Sequence, residues 1–290
     1  MPLDQQLIDR LDRLLERLDT LLPGPAEPPD WEASIAFRWR RRASGPGLEH
    51  VRHPHGLSLD QLRHVERQKS LLSRNTRQFV AELPANNALL WGSRGTGKSS
   101  LVKAMLNEYA AMGLRLIEVD KADLVDLPDI ADLVWDRPER FVLFCDDLSF
   151  EADDPSYKAL KAMLDGSVTA APDNLLIYAT SNRRHLMPEY LTENEEARNV
   201  DGEIHHGEAV EEKISLSERF GLWVSFYPFS QDSYLDIVWS WLEHFGTRLD
   251  DPAEIRAEAL RYALARGSRS GRVAWQFARD RAGRSGLGEA

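Results

Sequence analysis

Three short stretches carry residue types able to do chemistry together. The first is Gly92-Ser-Arg-Gly-Thr-Gly-Lys98-Ser99. Gly92, Gly95 and Gly97 reach backbone angles closed to other residues, so the N–H groups of Ser93, Arg94 and Thr96 can turn inward together. Converging N–H groups bind phosphate, and a helix starting at the loop adds its positive dipole end. Lys98 would then reach the β- and γ-phosphates of a nucleotide. The Ser99 hydroxyl would hold Mg²⁺, with Ser100 beside it in the first helical turn. The plain alternative is a glycine turn with a chance lysine, and the flanks argue against it. An apolar run, Ala88 to Trp91, precedes the loop, and Leu101, Val102, Met105 and Leu106 follow at helical spacing. That is the strand–loop–helix setting of a phosphate-binding P-loop.

The second stretch is the apolar run Phe141–Cys145, which ends in Asp146 and Asp147. Asp146 suits a Mg²⁺ ion shared with Ser99, and Asp147 suits orienting and deprotonating an attacking water. In P-loop proteins such a strand lies beside the loop's own strand, and that neighbour relation is expected here. A glutamate reaches further than Asp147, so Glu151 is the fallback base. The competing reading is a polar strand end without chemistry. The third stretch, Leu175–Asn182, is another apolar run, ending in small polar groups. An amide there can hold the water that attacks a γ-phosphate, or it can cap a helix starting at Arg183.

These stretches need a sheet to carry them. Five apolar runs read as strands: 87–91, 114–119, 141–145, 175–179 and 222–226, with helical segments between most of them. Continuous apolar strands alternating with helices indicate an α/β fold, with a parallel sheet covered on both faces. The helix before the first strand is expected from Ser58 onward, with Leu59, Leu62 and Val65 on its inner face. After Pro228 the pattern is helical only, over 231–245, 252–265 and 272–282, with Gly246 and Gly267 as terminators. The expected division is therefore a nucleotide-binding unit over 57–229 and a small helical lid over 230–290. Ahead of them, 1–22 reads as a helix whose Leu7, Leu11, Leu14, Leu18 and Leu21 form a seam. Residues 23–56 are a proline-rich linker followed by a segment that resists assignment. There Trp31, Phe37 and Trp39 want burial among Arg38 and Arg40–Arg42, which favours amphipathic structure over base stacking.

Composition narrows the classes. A formal charge of −11 weighs against broad nonspecific nucleic-acid binding. No apolar run approaches the ~20 residues of a membrane span. Cys145 is the single cysteine, so no disulfide forms within the chain, which fits the cytoplasm. His50, His53 and His55, and separately His205 and His206, are weak candidates for metal because ligand spacing is poor. Arginine is dense over 38–77 and 261–284, and acid over 118–154 and 189–212. Pairing of neighbouring subunits and plain solvated surface both account for that asymmetry.

The order of P-loop, paired-acid strand, Ala-Thr-Ser-Asn strand, Ser217-Glu-Arg-Phe-Gly221 and helical tail resembles the AAA+ ATPases. The phrases Ala36-Phe-Arg-Trp39, LLWGSRGTGKSSLVKA, FCDDLSFE, YATSNRRHLMPE and EEKISLSERFGLWVSFYPFSQDSYL resemble more closely the bacterial family called domain of unknown function 815. The resemblance implies ATP with Mg²⁺, a homo-oligomer, a helical lid and an unidentified protein client. It also implies roles. Asn182 stands at the position called sensor 1, Arg219 at the arginine finger acting on a neighbour's nucleotide, and Arg272 at sensor 2. Leu62 and Val65 fall in the region that sandwiches adenine. Without the resemblance, Arg219 reads as a salt bridge and Arg272 as a solvated helix start. Two features depart from relatives that unfold proteins. Residues 120–126 hold no aromatic residue where a pore loop would stand, and 192–213 is a long acidic insertion. The expected activity is slow ATP hydrolysis at subunit interfaces. Its rivals are a nucleotide switch with little turnover and a DNA-associated ATPase of loader type, the latter without a supporting motif.

Overall fold

The computed structural model describes residues 29–42, 45–150, 154–166, 172–184, 186, 198–200, 203–205, 216–247 and 251–287. The leucine-seam helix at 1–22, Glu151 and His206 lie outside them. The α/β sheet holds seven strands: β1 (Ala36–Arg42), β2 (Gly45–His50), β3 (Ala88–Gly92), β4 (Leu114–Glu118), β5 (Arg140–Cys145), β6 (Leu175–Ser181) and β9 (Leu222–Phe226). Their spatial order is β2-β1-β4-β5-β6-β3-β9. All five expected strands are present and mutually parallel. Two corrections follow. The sheet is larger than five strands, because β1 pairs parallel with β4 and β2 closes the edge antiparallel to β1. The acid-bearing strand β5 also does not touch the P-loop strand β3, because β6 lies between them. A second, two-stranded sheet, β7 (Arg198–Val200) with β8 (Glu203–His205), forms within the acidic insertion.

The β1–β2 hairpin explains the segment that resisted assignment. Alternation along β1 buries Phe37 and Trp39 in the core beside Phe141 and Ile117. The arginines between them find acids on the next strand and turn. Arg38 bonds Glu118 at 2.7 Å, Arg40 reaches Asp120 at 3.4 Å, and Arg41 chelates Asp126. Trp39 Nε1 donates to the same Asp126 at 2.9 Å. Arg41, and secondarily Trp39, hold the Asp126 carboxyl below its ordinary range against burial, which pushes the other way. Asp126 ends a short 3₁₀ stretch, Lys121–Asp126, in which Leu124 is buried. The stretch without a pore-loop aromatic is thus tied down from the hairpin side, and Lys121 pairs with Asp154 at 2.6 Å.

Helices cover both faces. One face packs α1 (Glu66–Val80) and α2 (Lys98–Tyr109), through Leu72, Phe79, Leu101 and Met105, against Leu90, Phe144 and Tyr178. The other packs α3 (Leu127–Val134) and α4 (Pro155–Asp165) against Leu89, Leu143 and Ile177. The expected helical start at Ser58 is corrected. Only a 3₁₀ turn, Leu59–Gln61, forms there, and α1 begins at Glu66. Leu62 is extended, and His64 takes a left-handed φ of 60°, which breaks the helix before Val65.

The tail forms α5 (Gln231–His244), α6 (Pro252–Ala265) and α7 (Gly271–Leu287), the last longer than its apolar pattern suggested. Ser230 and Asp251 cap α5 and α6 by accepting backbone N–H bonds, the usual role of such residues. Tyr234, Val238, Ile255, Ala259 and Phe277 give these helices a core of their own.

Candidate functional site

A cleft of about 740 Å³ opens between the P-loop, the 55–65 segment and the tail helices. Its size lies within the usual range for small-molecule sites. The P-loop turns between β3 and α2. Gly92 has φ 128°, and a Cβ there would lie 1.9 Å from the Phe226 carbonyl oxygen, so β9 presses directly on the loop's entry. Gly95 has φ 71°, and its added Cβ would meet Ser270 Oγ at 2.8 Å. These two glycines permit both a left-handed backbone and close approach of a neighbouring segment. Thr96 Oγ1 closes the loop on Ser93 O at 2.7 Å.

Lys98 is buried at the start of α2. Its ammonium donates to Gly92 O at 2.7 Å, Ser93 O at 2.8 Å and Asn182 Oδ1 at 3.1 Å. Burial pulls its pKa below the ordinary lysine value. Asp146 and Asp147 oppose that pull, while Arg94 and Arg272 add to it. Asn182 Nδ2 in turn donates to Asp147 Oδ1. Of the two readings of Asn182, its described neighbours favour the amide over the cap: 182–184 is a bend, and the amide binds Lys98 and Asp147.

Ser99 Oγ donates to Asp146 Oδ1 at 2.6 Å, and Thr180 Oγ1 donates to the same oxygen. Thr180 Oγ1 also accepts the Asp147 N–H at 2.9 Å. Asp147 sits at φ 53°, in the left-handed region. A non-glycine residue there is uncommon, and such positions cluster at functional sites. Thr180, which contacts both acids, is a candidate site residue that the sequence alone does not single out. It was part of the Ala-Thr-Ser-Asn phrase, but its importance depends on β6 lying between β3 and β5.

Across the cleft, the tail supplies Arg272 at the start of α7, whose N–H reaches Gly95 O at 3.3 Å. Leu62 and Val65 line the other wall. Ile237, Trp241 and Trp275 from α5 and α7 complete the apolar end, and none of the three was singled out from the sequence. The structure therefore gathers Arg94–Ser100, Asp146, Asp147, Asn182, Arg272, Leu62 and Val65 around one cleft, with Gly92 and Ser93 holding Lys98 through their carbonyls. It does not bring Arg219 there. Arg219 lies in the 216–219 turn before β9 and pairs with Asp165 at the end of α4. That is the opposite end of the sheet from the P-loop, because β9 runs parallel to β3 from Leu222 beside Ala88 to Phe226 beside Gly92.

The donor set fits Mg²⁺ chemically. Ser99 and Asp146 are hard oxygen donors already in contact, in the arrangement such sites use.

Comparison with known proteins agrees with this fold. A point mutant of Thermotoga maritima RuvB superposes with a TM-score of 0.52 at 16% identity, over 77% of this chain and 64% of that one. The replication initiator DnaA, bound to AMPPCP and single-stranded DNA, superposes at 0.51 and 16%, over 77% and 63%. The chain thus spans less than two thirds of either. Both are AAA+ proteins, and the shared architecture is the AAA+ fold. No curated protein matches the sequence. A family model described as "Protein of unknown function (DUF815)" matches residues 32–285, so the chain is a member of that family, with an AAA+ fold.

Proposed function

We propose that this protein binds ATP with Mg²⁺ in the cleft and hydrolyses it slowly where subunits meet, to remodel or load a partner. The observation that carries the reading is one connected set of contacts. Lys98, Asn182 and Asp147 form one chain, and Ser99, Asp146 and Thr180 form another, from three separate strand ends. A glycine turn with a chance lysine has no reason to meet two acids and an amide from other strands.

Each group has a task in this scheme. The loop N–H groups and Lys98 hold the triphosphate, and Lys98 exchanges a carbonyl contact for a phosphate oxygen. Ser99 and Asp146 would hold Mg²⁺, which screens phosphate charge when bound. Asp147 and Asn182 orient the attacking water, with Asp147 as its base. Arg272 reaches the γ-phosphate from the tail, so that nucleotide draws the 230–290 lid onto the 57–229 unit. Leu62 and Val65 pack on the base. Arg219, remote from its own cleft, serves a neighbour's nucleotide, and a planar cation beside the transferring phosphoryl group stabilises its spreading charge.

Calorimetry with ATP and Mg²⁺ tests the binding step, and Lys98→Ala should bind more weakly than wild type. ATPase rate per subunit against protein concentration tests the trans arginine. The rate should climb with concentration, and a flat, high rate in dilute solution would refute it. One observation favours a second reading, a nucleotide switch with little turnover. Asp147 is engaged by Asn182, and its side chain is shorter than that of a glutamate. Multiple-turnover kinetics separates the readings. The DNA-associated alternative is less favoured at the hairpin, where Arg38, Arg40 and Arg41 pair with acids of the same chain, and rests on the C-terminal arginines.

A further inference from the structure

The strap of chain from His55 to Val65 forms one wall of the cleft and is held at both ends. Asn107 of α2 donates its Nδ2 to the carbonyls of His55 and Leu57, both at 2.8 Å. Leu57 and Val65 are buried. Between them the backbone is irregular. Leu62 is extended, and His64 takes φ 60°. Non-glycine residues enter that left-handed region rarely, and they stay there where surrounding contacts hold them. Leu62 Cδ2 would lie 3.9 Å from a Cβ on Gly97, so this wall stands directly over the P-loop.

What holds the middle of the strap is a carboxylate from the opposite wall. Asp236 of α5 accepts the His64 Nε2–H at 2.9 Å, and Arg63 Nη1 stands 3.6 Å from the same oxygen. An ionised carboxylate can only accept, so the imidazole nitrogen is the donor. Ile237 follows Asp236 directly, and Trp241 comes one turn later; both line the cleft. Arg63 and His64 stand between Leu62 and Val65, which line it from the other side. One carboxylate therefore joins the two apolar walls of a single cleft.

We propose that Asp236 is a positioning residue. By holding Arg63 and His64, it sets the separation of Leu62 and Val65 from Ile237 and Trp241, and so the grip on a nucleotide's base. The inference rests on the preceding nucleotide reading and deepens it. The phosphate end depends on groups that Asp236 does not touch, among them Lys98, Ser99 and Asp146. Arg272 is held to the P-loop separately, through its N–H on Gly95 O at 3.3 Å. Without Asp236, nothing across the cleft holds His64 at its left-handed angle, and the two walls part at the base end. The three side chains are each between a third and a half exposed, so water screens the contact and its effect on affinity is about fivefold.

The test sets a ligand with a base against one without. Calorimetry with Mg²⁺ measures ATP and inorganic tripolyphosphate on the full chain. Asp236→Ala should weaken ATP about fivefold and leave tripolyphosphate unchanged. His64→Gly removes the imidazole and accepts the left-handed angle without strain. It should weaken ATP by less, since Arg63 remains. The double variant should bind ATP no more weakly than Asp236→Ala, because both changes remove one contact. Unchanged melting temperatures show that the variants fold. The inference is overturned if Asp236→Ala binds ATP like wild type, if tripolyphosphate weakens by the same factor, or if the two losses add in full. Hydrogen exchange without ligand is read separately. Amides over 59–65 and 235–241 should exchange faster in Asp236→Ala, and unchanged exchange also overturns the inference. If wild type binds neither ATP nor tripolyphosphate, the nucleotide reading fails and the base role with it, while faster exchange still supports the contact between the walls.

Discussion

The β1–β2 hairpin and the P-loop end of the cleft both gather cations, and they spend their charges in opposite ways; Arg63, on the opposite wall, pairs with Asp236 at 3.6 Å. In the hairpin, Arg38, Arg40 and Arg41 each meet an acid from the strand or turn next door. At the cleft, Arg94 and Arg272 meet no carboxylate among the described residues, and Lys98 is held by neutral oxygens. A cation saturated by its own chain stabilises that chain. A cation left beside neutral donors and acceptors retains its attraction for an outside anion. A count of arginines along the sequence separates these cases poorly, and the partners separate them well.

Arg219 is the residue most able to break this comparison, since it is paired with Asp165 and yet proposed to act on a neighbour. Arg219→Ala should lower turnover by roughly 10³ or more, the size of arginine-finger effects elsewhere, with ATP affinity retained. If steady-state kinetics shows unchanged turnover and only the melting temperature falls, Arg219 belongs with the hairpin arginines. Next in size, Lys98→Ala should weaken ATP at least roughly tenfold in calorimetry, the worth of one hydrogen bond to a charged group. Its melting temperature without nucleotide should hold or rise, because a buried ammonium is removed.

The third expectation concerns the hairpin. Asp126→Ala strands the Trp39 N–H in the core and should cost about 1–3 kcal/mol in denaturant unfolding, with ATP affinity untouched. Its pH dependence has a definite sign. The folded carboxyl lies below the ordinary 3.8, so its stabilisation is full above that value and is lost as pH falls through the lower folded value. The variant should lack that part of the acid sensitivity.

A smaller effect follows from the depressed pKa of Lys98. A bound triphosphate favours the ammonium and raises that pKa again, so binding takes up protons as pH rises toward the ordinary lysine value, and affinity falls there. Calorimetry in buffers of different ionisation enthalpy reads the uptake directly. No uptake at alkaline pH would mean that Lys98 does not face the phosphates. Smallest of all, Arg40→Gln removes a 3.4 Å pair between half-exposed groups. It should change stability by no more than about 0.5 kcal/mol, and a larger loss would show that the hairpin arginines act as a network.

Much of this protein was legible before its fold was known, and the reasons are local. Glycines at 92, 95 and 97 followed by Lys98 describe a backbone shape by themselves, and five apolar runs of strand length describe a buried parallel sheet. The hairpin was hidden because its strands alternate aromatics with arginines, and an arginine reads as surface until its acid is known. Those acids lie about 80 residues further on, at Glu118, Asp120 and Asp126. The false helical start at Ser58 had a similar cause. Leu59, Leu62 and Val65 keep helical spacing and pack toward the same core as α1, but extended Leu62 and left-handed His64 interrupt the helix between them, and Leu62 and Val65 also line the cleft.

By itself, then, the order of residues determined the local chemistry: a loop able to cradle phosphate, two acids at one strand end, an amide at another, and a capped helical tail. Tertiary structure decided which strands are neighbours. It placed β6 between β3 and β5, and so made Thr180 the bridge between two acids and Asn182 the bridge between Lys98 and Asp147. It also put Arg219 at the far end of the sheet from its own cleft. Strand order depends on how apolar faces are shared among elements distant in sequence, and residue spacing along a single strand carries no record of that sharing.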